Sequence, residues 1–123
     1  MGLICCSTKV SAVCCHHGSK LELLMSSCVA DRLSGLWGAQ TPLGLYLQEH
    51  DITTLFLGGV NSDQCVWSTL IDAYFKGFDT IYVEDCAATT SPWYAEEMVR
   101  YNGDSDGFLA NSTYIIDALK KQR

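Results

Sequence analysis

One cysteine occupies a position at which a catalytic nucleophile is expected. Cys65 follows a short apolar run at residues 53–60 and a polar turn at residues 61–64, and it begins a stretch of helical periodicity that ends at Phe75. A thiol in the first turn of a helix faces unpaired backbone N–H groups and the positive end of the helix dipole, and both favour the thiolate. Because the thiolate is the nucleophilic form of cysteine, this placement predicts nucleophilic catalysis by Cys65.

The same turn contains backbone donors for an oxyanion. The N–H groups of Asn61 and Cys65 lie where a strand leads into a helix, and such groups stabilise the negative oxygen of a tetrahedral intermediate. In an open parallel sheet, sites form at this place, beyond the carboxyl ends of the strands. The alternative interpretation is that Cys65 is a small buried apolar residue, as free cysteines often are. The position of Cys65 alone leaves both interpretations open.

Two strands and a helix are expected to position this turn. The run at residues 53–60 is too short for a core helix and nearly continuous in apolar residues, which is typical of a strand covered on both faces of a parallel sheet. The helix from Cys65 to Phe75 is expected to stop at Gly77 and to lead to a second apolar strand at residues 78–83. The inward face of this helix is predicted to contain Val66, Leu70, Ala73 and Tyr74.

Other local signals continue the alternation of strands and helices. Proline at a first helical position, hydroxyl and amide caps, and Gly-containing turns delimit the elements. In chain order these are a helix at residues 42–50, a polar loop at residues 84–91, a helix at residues 92–101 ended by an Asn-Gly-Asp turn, a short strand at residues 107–110, and a helix at residues 114–121 capped by Asn111 or Ser112.

This order of elements predicts an α/β fold with a parallel sheet, built from βαβ units. Three strands are few for such a sheet, because parallel strands need neighbours and cover on both sides. The Cys- and Ser-rich residues 1–33 lack the regular pattern of the rest. We therefore divide the chain into a divergent N-terminal segment, residues 1–33, and a partial α/β domain, residues 34–123, which we expect to be truncated at its N-terminal side.

Composition narrows the class of partners. Acidic residues outnumber basic ones by 14 to 8, so we expect no nucleic acid partner. No apolar run approaches the length of a membrane span and no signal peptide is recognisable, so we expect a cytoplasmic protein without membrane association. The seven cysteines are odd in number, and five lie within the first 28 residues, so we expect reduced thiols. Adjacent cysteines lack the Cys-x-x-Cys spacing of zinc sites, and we expect neither a metal nor a cofactor.

The segment around Cys65 resembles a family signature. It reads Leu-Gly-Gly-Val-Asn-Ser-Asp-Gln-Cys-Val at residues 57–66, followed by Ala73, Gly77 and Val-Glu-Asp at residues 83–85. This pattern resembles the isochorismatase-like cysteine hydrolases, which include nicotinamidases, carbamoylsarcosine amidases and ureidoacrylate hydrolases. The resemblance extends over residues 34–119. It implies a Rossmann-like, three-layer α/β/α fold with a six-stranded parallel sheet, and hydrolysis of a small-molecule amide or related carbon–nitrogen bond.

The resemblance also implies roles for individual residues. Cys65 would be the nucleophile on which an acyl-enzyme forms, and the backbone of Asn61 and Cys65 would form the oxyanion hole. The peptide bond between Val60 and Asn61 would be the family's non-proline cis bond. Trp37 and Tyr94 would line the substrate pocket, although aromatic residues at such places are more often part of a core.

Two further catalytic residues of the family have no match in this sequence. The family's lysine would fall near Ala30, where Arg32 is the nearest cation and a poor substitute, because a guanidinium stays protonated. The family's aspartate ends a first strand that has no counterpart, and Asp31 is not that residue. These departures keep two alternatives open, a non-catalytic α/β interaction module and an inactive truncated member of the family.

The absent first strand also predicts an open sheet edge. In the family's strand order, residues 53–60 would lie beside that first strand, so their apolar edge would need another partner. Residues 9–15 or 21–29 are candidates to pair there. A second copy of the chain is the other candidate, which predicts a homo-oligomer formed through this edge.

Overall fold

A computed structural model describes the backbone of residues 12–17 and 20–25, and residues 47–121 in full. The described elements are β1 (Ala12–His17), β2 (Lys20–Met25), β3 (Thr54–Val60), a π-helical turn (Ser62–Val66), α1 (Trp67–Phe75), β4 (Asp79–Ala88), α2 (Trp93–Asp106), β5 (Phe108–Ala110) and α3 (Ser112–Lys121). Residues 47–49 are also helical and are followed by a turn, which agrees with the predicted end of a helix by His50. Within the described residues, no helix combines the length and apolar character that crossing a membrane requires.

The strands form one five-stranded sheet in the order β2-β1-β3-β4-β5. Strands β3, β4 and β5 are parallel neighbours. Helices α1 and α2 connect them and contact both β4 and each other, and α3 also contacts β4. The predicted α/β fold with parallel strands is therefore confirmed. The sheet as a whole is mixed, because β1 and β2 join it as an antiparallel hairpin.

Strand β1 covers the edge of β3 that the sequence predicts to be open. Cys14 pairs with Phe56 and Cys15 with Leu55, in antiparallel orientation. Of the candidates, residues 9–15 overlap this strand, whereas residues 21–29 overlap β2, which lies one strand further out. The edge of β3 is thus covered from within the chain, and the prediction that residues 9–15 could pair there is confirmed. A homo-oligomer stays a prediction, although the edge of β3 through which it was expected to form is already paired with β1.

The core lies between β3, β4 and the helices. Its apolar side chains are almost fully buried, and they are Leu47, Ile52, Leu55, Leu57, Val66, Leu70, Ala73, Tyr82 and Val99. Along α1 the predicted inward residues are buried with the exception of Tyr74, which is 43% exposed. Thr69 is buried instead, because the stripe at i, i+3, i+4 and i+7 from Val66 selects Thr69, Leu70 and Ala73.

Two glycines at similar sequence signals have different roles. Gly77 ends α1 with a φ of +86°, and its N–H donates to the carbonyl of Tyr74 at 2.9 Å, as expected of a helix C-terminus. Gly103, by contrast, lies inside α2, which continues to Asp106 beyond the predicted end. A Cβ at Gly103 would lie 3.4 Å from Leu109 and 3.7 Å from the Cβ of Tyr82. These are ordinary van der Waals distances, so Gly103 is a buried residue within the helix and does not end it.

Strand β4 is longer than predicted and contains an irregularity. The predicted loop at residues 84–91 belongs to the strand as far as Ala88. Leu57 pairs with Tyr82 and Gly59 with Ala87, so a single residue of β3, Gly58, lies opposite four residues of β4. An insertion of this kind bends a strand and re-aims its side chains. The polar residues that predict a loop therefore lie in the irregular part of β4.

Candidate active site at the end of strand β3

Cys65 lies in the π-helical turn that connects the carboxyl end of β3 to α1. Its side chain is partly buried, at the margin of the core. The Sγ atom is 3.7 Å from the carbonyl oxygens of Val60 and Asn61, a geometry in which the S–H group donates weakly to either. The hydroxyl of Thr69 donates to the carbonyl of Cys65 at 2.8 Å. Cys65 therefore lies at the end of the strand, partly buried and packed against the edge of the apolar core.

The turn itself closes around Asn61. The peptide bond between Val60 and Asn61 is a non-proline cis bond, at the position where the family resemblance places one. The carbonyl of Asn61 accepts hydrogen bonds from the N–H groups of Gln64 at 3.2 Å and of Val66 at 3.4 Å. The residues proposed for the oxyanion hole, Asn61 and Cys65, thus belong to one closed turn.

On its outer side, the turn is hydrogen-bonded to the loop that follows β4. The side-chain oxygen of Asn61 accepts from the N–H of Thr90 at 3.2 Å and from its hydroxyl at 3.4 Å. The hydroxyl of Thr89 donates to the carboxylate of Asp63, and the side-chain amide of Gln64 donates to the hydroxyl of Ser91 at 3.4 Å. These interactions connect residues 61–64 of the turn to residues 89–91.

Asp63 remains charged in this arrangement. Partial burial acts to raise the pKa of Asp63, but hydrogen bonds from Thr89 and Ser91 outweigh it, so the pKa lies below its ordinary value. A carboxylate that accepts several hydrogen bonds is stabilised in its ionised form. Asp63 therefore acts here as an acceptor that orders the loop.

On its inner side, the turn is anchored to α2 and β4 through one carboxylate. The hydroxyl of Ser62 donates to Oε2 of Glu96 at 2.5 Å, and the hydroxyl of Tyr82 donates to Oε1 of Glu96 at 2.8 Å. Burial, followed by the hydrogen bond and the negative charge of Glu96, raises the pKa of Tyr82 well above its ordinary value. The phenol is thus held neutral as a hydrogen-bond donor.

This anchor corrects an interpretation that the sequence suggests. Glu96, Glu97 and Asp85 are most simply read as solvated surface residues, and for Glu96 this is wrong. The available signal was its position on the helix, because Val99 and Gly103 follow at i+3 and i+7 and both are buried. Residues at that spacing share one face of a helix.

Two other polar contacts belong to the surroundings of the site. Arg100 forms an ion pair with Glu84 at 3.0 Å, and its Nε lies 3.8 Å from Oε1 of Glu96. Asp85 accepts hydrogen bonds from the side chain and the N–H of Ser112 at the start of α3, and these bonds lower the pKa of Asp85. Arg100 thus lies beside the carboxylate of Glu96, and the hydrogen bonds between Ser112 and Asp85 attach α3 to β4.

Of the two predicted pocket residues, Tyr94 belongs to the described part of the chain. Tyr94 lies in the first turn of α2, is 58% exposed, and packs edge-to-face against Trp93 with ring centroids 6.1 Å apart. The alternative that Tyr94 is a core residue is therefore wrong. Trp37 lies outside the described residues, as do Ala30 and Arg32, near which the family's lysine was expected. A pocket role for Trp37 and Tyr94 stays a prediction.

The orientation of β1 bears on the family's aspartate. In a parallel neighbour of β3, the carboxyl end would lie at the same edge of the sheet as Val60. Strand β1 is antiparallel to β3, so its carboxyl end at His17 lies at the opposite edge. The end of β1 thus does not take the place of the strand from which the family's aspartate comes.

Comparison with known families and curated proteins gives a consistent result. The family model described as the isochorismatase domain matches residues 25–104. The chain is similar to the ureidoacrylate amidohydrolase RutB of Cronobacter sakazakii, with 28% identity over 92 residues, which are 74% of this chain and 39% of that protein. The corresponding protein of Cronobacter turicensis is 29% identical over 89 residues, 72% of this chain and 38% of that protein. The chain thus spans about two fifths of the length of these curated relatives.

Solved structures show the same likeness. An isochorismatase-like hydrolase from Alkaliphilus metalliredigens superposes with a TM-score of 0.60 and 30% identity, covering 65% of this chain and 44% of that one. The nicotinamidase PncA of Bacillus subtilis superposes with a TM-score of 0.55 and 35% identity, covering 59% and 40%. An isochorismatase family protein from Burkholderia thailandensis, at 23% identity, a TM-score of 0.66 and coverage of 73% and 47%, supports the fold alone.

Proposed function

The chain belongs to the isochorismatase family, and we propose that it hydrolyses a small-molecule amide or related carbon–nitrogen bond with Cys65 as nucleophile. The observation that carries this proposal is the position of Cys65 in a closed turn at the carboxyl end of a parallel strand. The relatives support the bond type, since they include a ureidoacrylate amidohydrolase and a nicotinamidase.

The chemistry proceeds through two steps. The thiolate of Cys65 attacks the carbonyl carbon of the amide, and the negative oxygen that results is stabilised by backbone N–H groups of Asn61 and Cys65. The carbon–nitrogen bond then breaks, the nitrogen takes up the proton lost by the thiol, and a thioester remains on Cys65. Water hydrolyses this thioester, which releases the acid and restores the thiol.

The rate is expected to be low. A base must carry the thiol proton to the departing nitrogen, and the family's aspartate and lysine have no match in this sequence. General acid and base assistance contributes roughly 10²- to 10⁴-fold. The proposal therefore predicts that acylation of Cys65 is easier to detect than repeated turnover.

A second function, a non-catalytic interaction module, is favoured by one specific observation. The strand beside β3 runs antiparallel, whereas the family's aspartate requires a parallel strand with its carboxyl end at the site. A chain that keeps the turn at Cys65 but not that strand lacks the source of the family's aspartate. Such a module would bind a partner without catalysing hydrolysis.

The test compares nicotinamide, ureido and carbamoyl substrates on the wild type, Cys65→Ala and Cys86→Ala. Release of ammonia or amine by the wild type and Cys86→Ala, but not by Cys65→Ala, is the expected result. Mass spectrometry of tryptic peptides provides the second readout, because Cys65 is the only cysteine in the peptide of residues 33–76 and Cys86 the only one in the peptide of residues 77–100. Equal rates in all three proteins, with no acyl adduct on the first peptide, would remove the enzyme proposal.

A further inference from the structure

We infer that Glu96 is a positioning residue for Cys65, because its carboxylate attaches the start of the π-helical turn to the core. The inference rests on the proposed function in that it concerns the same cysteine. It is tested without any substrate, so that the two proposals can fail separately.

The carboxylate of Glu96 has both of its oxygens engaged by different elements. Oε2 accepts from Ser62 in the turn at 2.5 Å, and Oε1 accepts from Tyr82 in β4 at 2.8 Å. Both donor residues have 0% exposure, and the side chain of Glu96 is 18% exposed. One side chain of α2 thus connects three parts of the fold at a place from which solvent is largely excluded.

Neither hydroxyl has water as a ready substitute acceptor. Buried polar groups are nearly always hydrogen-bonded, and a buried donor without an acceptor is unfavourable. If the carboxylate of Glu96 is removed, the hydroxyls of Ser62 and Tyr82 lose a common acceptor. Tyr82 is held by its ring in the core, whereas Ser62 belongs to a five-residue turn. The turn is consequently the element that moves.

A displacement of Ser62 reaches Cys65 over three residues of one turn. The Sγ atom is placed by 3.7 Å contacts to the carbonyls of Val60 and Asn61, which immediately precede Ser62. The outer hydrogen bonds to residues 89–91 include the exposed residues Gln64 and Thr90, and exposed hydrogen bonds constrain position less than buried ones. Glu96 therefore determines the inner position of the turn.

The decisive measurement is the rate of alkylation of Cys65 by iodoacetamide between pH 6 and pH 9. Cys86, in a separate tryptic peptide of the same digest, serves as the internal reference. The variant is Glu96→Gln, which has one acceptor oxygen instead of two. The matched control is Glu97→Gln, the same change at the next residue of α2, which is exposed.

We expect Glu96→Gln to slow labelling of Cys65 relative to Cys86 by about 2- to 10-fold below pH 8, the range that corresponds to one net hydrogen bond. The pH midpoint of Cys65 labelling should move upward, whereas Glu97→Gln should reproduce the wild type. Equal changes at Cys65 and Cys86, or no change at either, would show a merely structural role and overturn the inference.

A double-mutant cycle tests the route through Ser62. If Glu96 acts on Cys65 by way of that hydroxyl, Glu96→Gln should have no additional effect on Cys65 labelling in a Ser62→Ala background. Additive effects would overturn the route. If wild-type Cys65 already labels with the pH profile of Cys86, the proposed nucleophile fails. An activated wild-type Cys65 that is indifferent to Glu96→Gln contradicts the positioning inference alone.

Discussion

Replacing Gly58 by alanine is expected to destabilise the protein and to disturb the site. Gly58 lies opposite the irregular segment of β4, and a Cβ there would be 2.8 Å from the carbonyl oxygen of Cys86 and 3.2 Å from its Cβ. Non-bonded heavy atoms are most favourable near 3.5–4.0 Å, so β3 and β4 would have to separate by about half an ångström or more. The atom that must move is backbone oxygen within a sheet.

Two opposing terms decide the sign. Alanine restricts the unfolded chain more than glycine does, which stabilises the native state by about 0.4–1 kcal/mol where the conformation is compatible. Overpacking in a well-packed interior costs roughly 1–3 kcal/mol. The steric term is the larger, so Gly58→Ala should lower the free energy of unfolding by about 1–2 kcal/mol, or Tm by roughly 4–12 °C.

Gly103→Ala is the matched control for the same chemical change. There the nearest atom to an added Cβ is a methyl carbon of Leu109 at 3.4 Å, at the far end of a flexible side chain, and alanine gains about 1 kcal/mol over glycine inside a helix. We therefore expect Gly103→Ala to be neutral or stabilising. Thermal and urea unfolding followed by circular dichroism would measure both variants.

A Tm of Gly58→Ala equal to that of the wild type, or lower stability of Gly103→Ala than of Gly58→Ala, would refute the reasoning. Because Gly58 lies two residues before Val60, whose carbonyl oxygen is 3.7 Å from the Sγ atom of Cys65, Gly58→Ala should also alter the alkylation rate of Cys65. An unchanged alkylation rate of Cys65 would mean that the contact between residue 58 and Cys86 does not affect the position of the residues at the end of β3.

The three groups with shifted pKa values each give a prediction, and the first two concern the pH dependence of stability. The pKa of Tyr82 is raised, so its stabilising contribution is complete below about pH 10, the ordinary pKa of tyrosine, and is lost as pH rises beyond that value. Between pH 8 and pH 11, Tyr82→Phe should therefore lose less free energy of unfolding than the wild type, as measured by urea unfolding. The pKa of Asp63 is lowered, so its contribution to stability is present above about pH 4 and is lost as pH falls through the pKa of the folded protein. Asp63→Asn should therefore weaken the dependence of the free energy of unfolding on pH in acid. The same dependence in Asp63→Asn and the wild type would contradict the role of these hydrogen bonds. The pKa of Asp85 is also lowered, and Asp85→Asn should speed amide hydrogen exchange in the first turn of α3. Equal exchange rates in the variant and the wild type would mean that the contact with Ser112 does not stabilise that turn.

Local signals predicted the elements around the site well. The strand at residues 53–60 is observed as Thr54–Val60, and Gly77 ends α1 as expected. Asn111 caps the last helix, since its side-chain oxygen accepts from the N–H of Thr113 at 3.0 Å. Each of these features depends on residues within a few positions of one another, where apolar periodicity, φ preferences and caps are decisive.

The errors arise where a residue's environment comes from a distant part of the chain. Polar residues at 84 and 85 suggested a loop, but the strand continues beyond them because Ala87 and Ala88 pair with Gly59 and Val60 of β3. The Asn-Gly-Asp signal at residues 102–104 did not end α2, because Gly103 is buried within the helix beside Tyr82 and Leu109. Tertiary contacts of this kind override local preference.

The sequence by itself determined that a cysteine follows a buried strand and precedes a helix, because the period of apolar residues and the short polar turn between them are local properties. Only the tertiary structure decided what holds that turn. Ser62 and Glu96 are 34 residues apart and share a hydrogen bond, and β1 covers the edge of β3 in antiparallel orientation. Neither pairing has a sequence signature of its own, since each depends on which surfaces burial brings together.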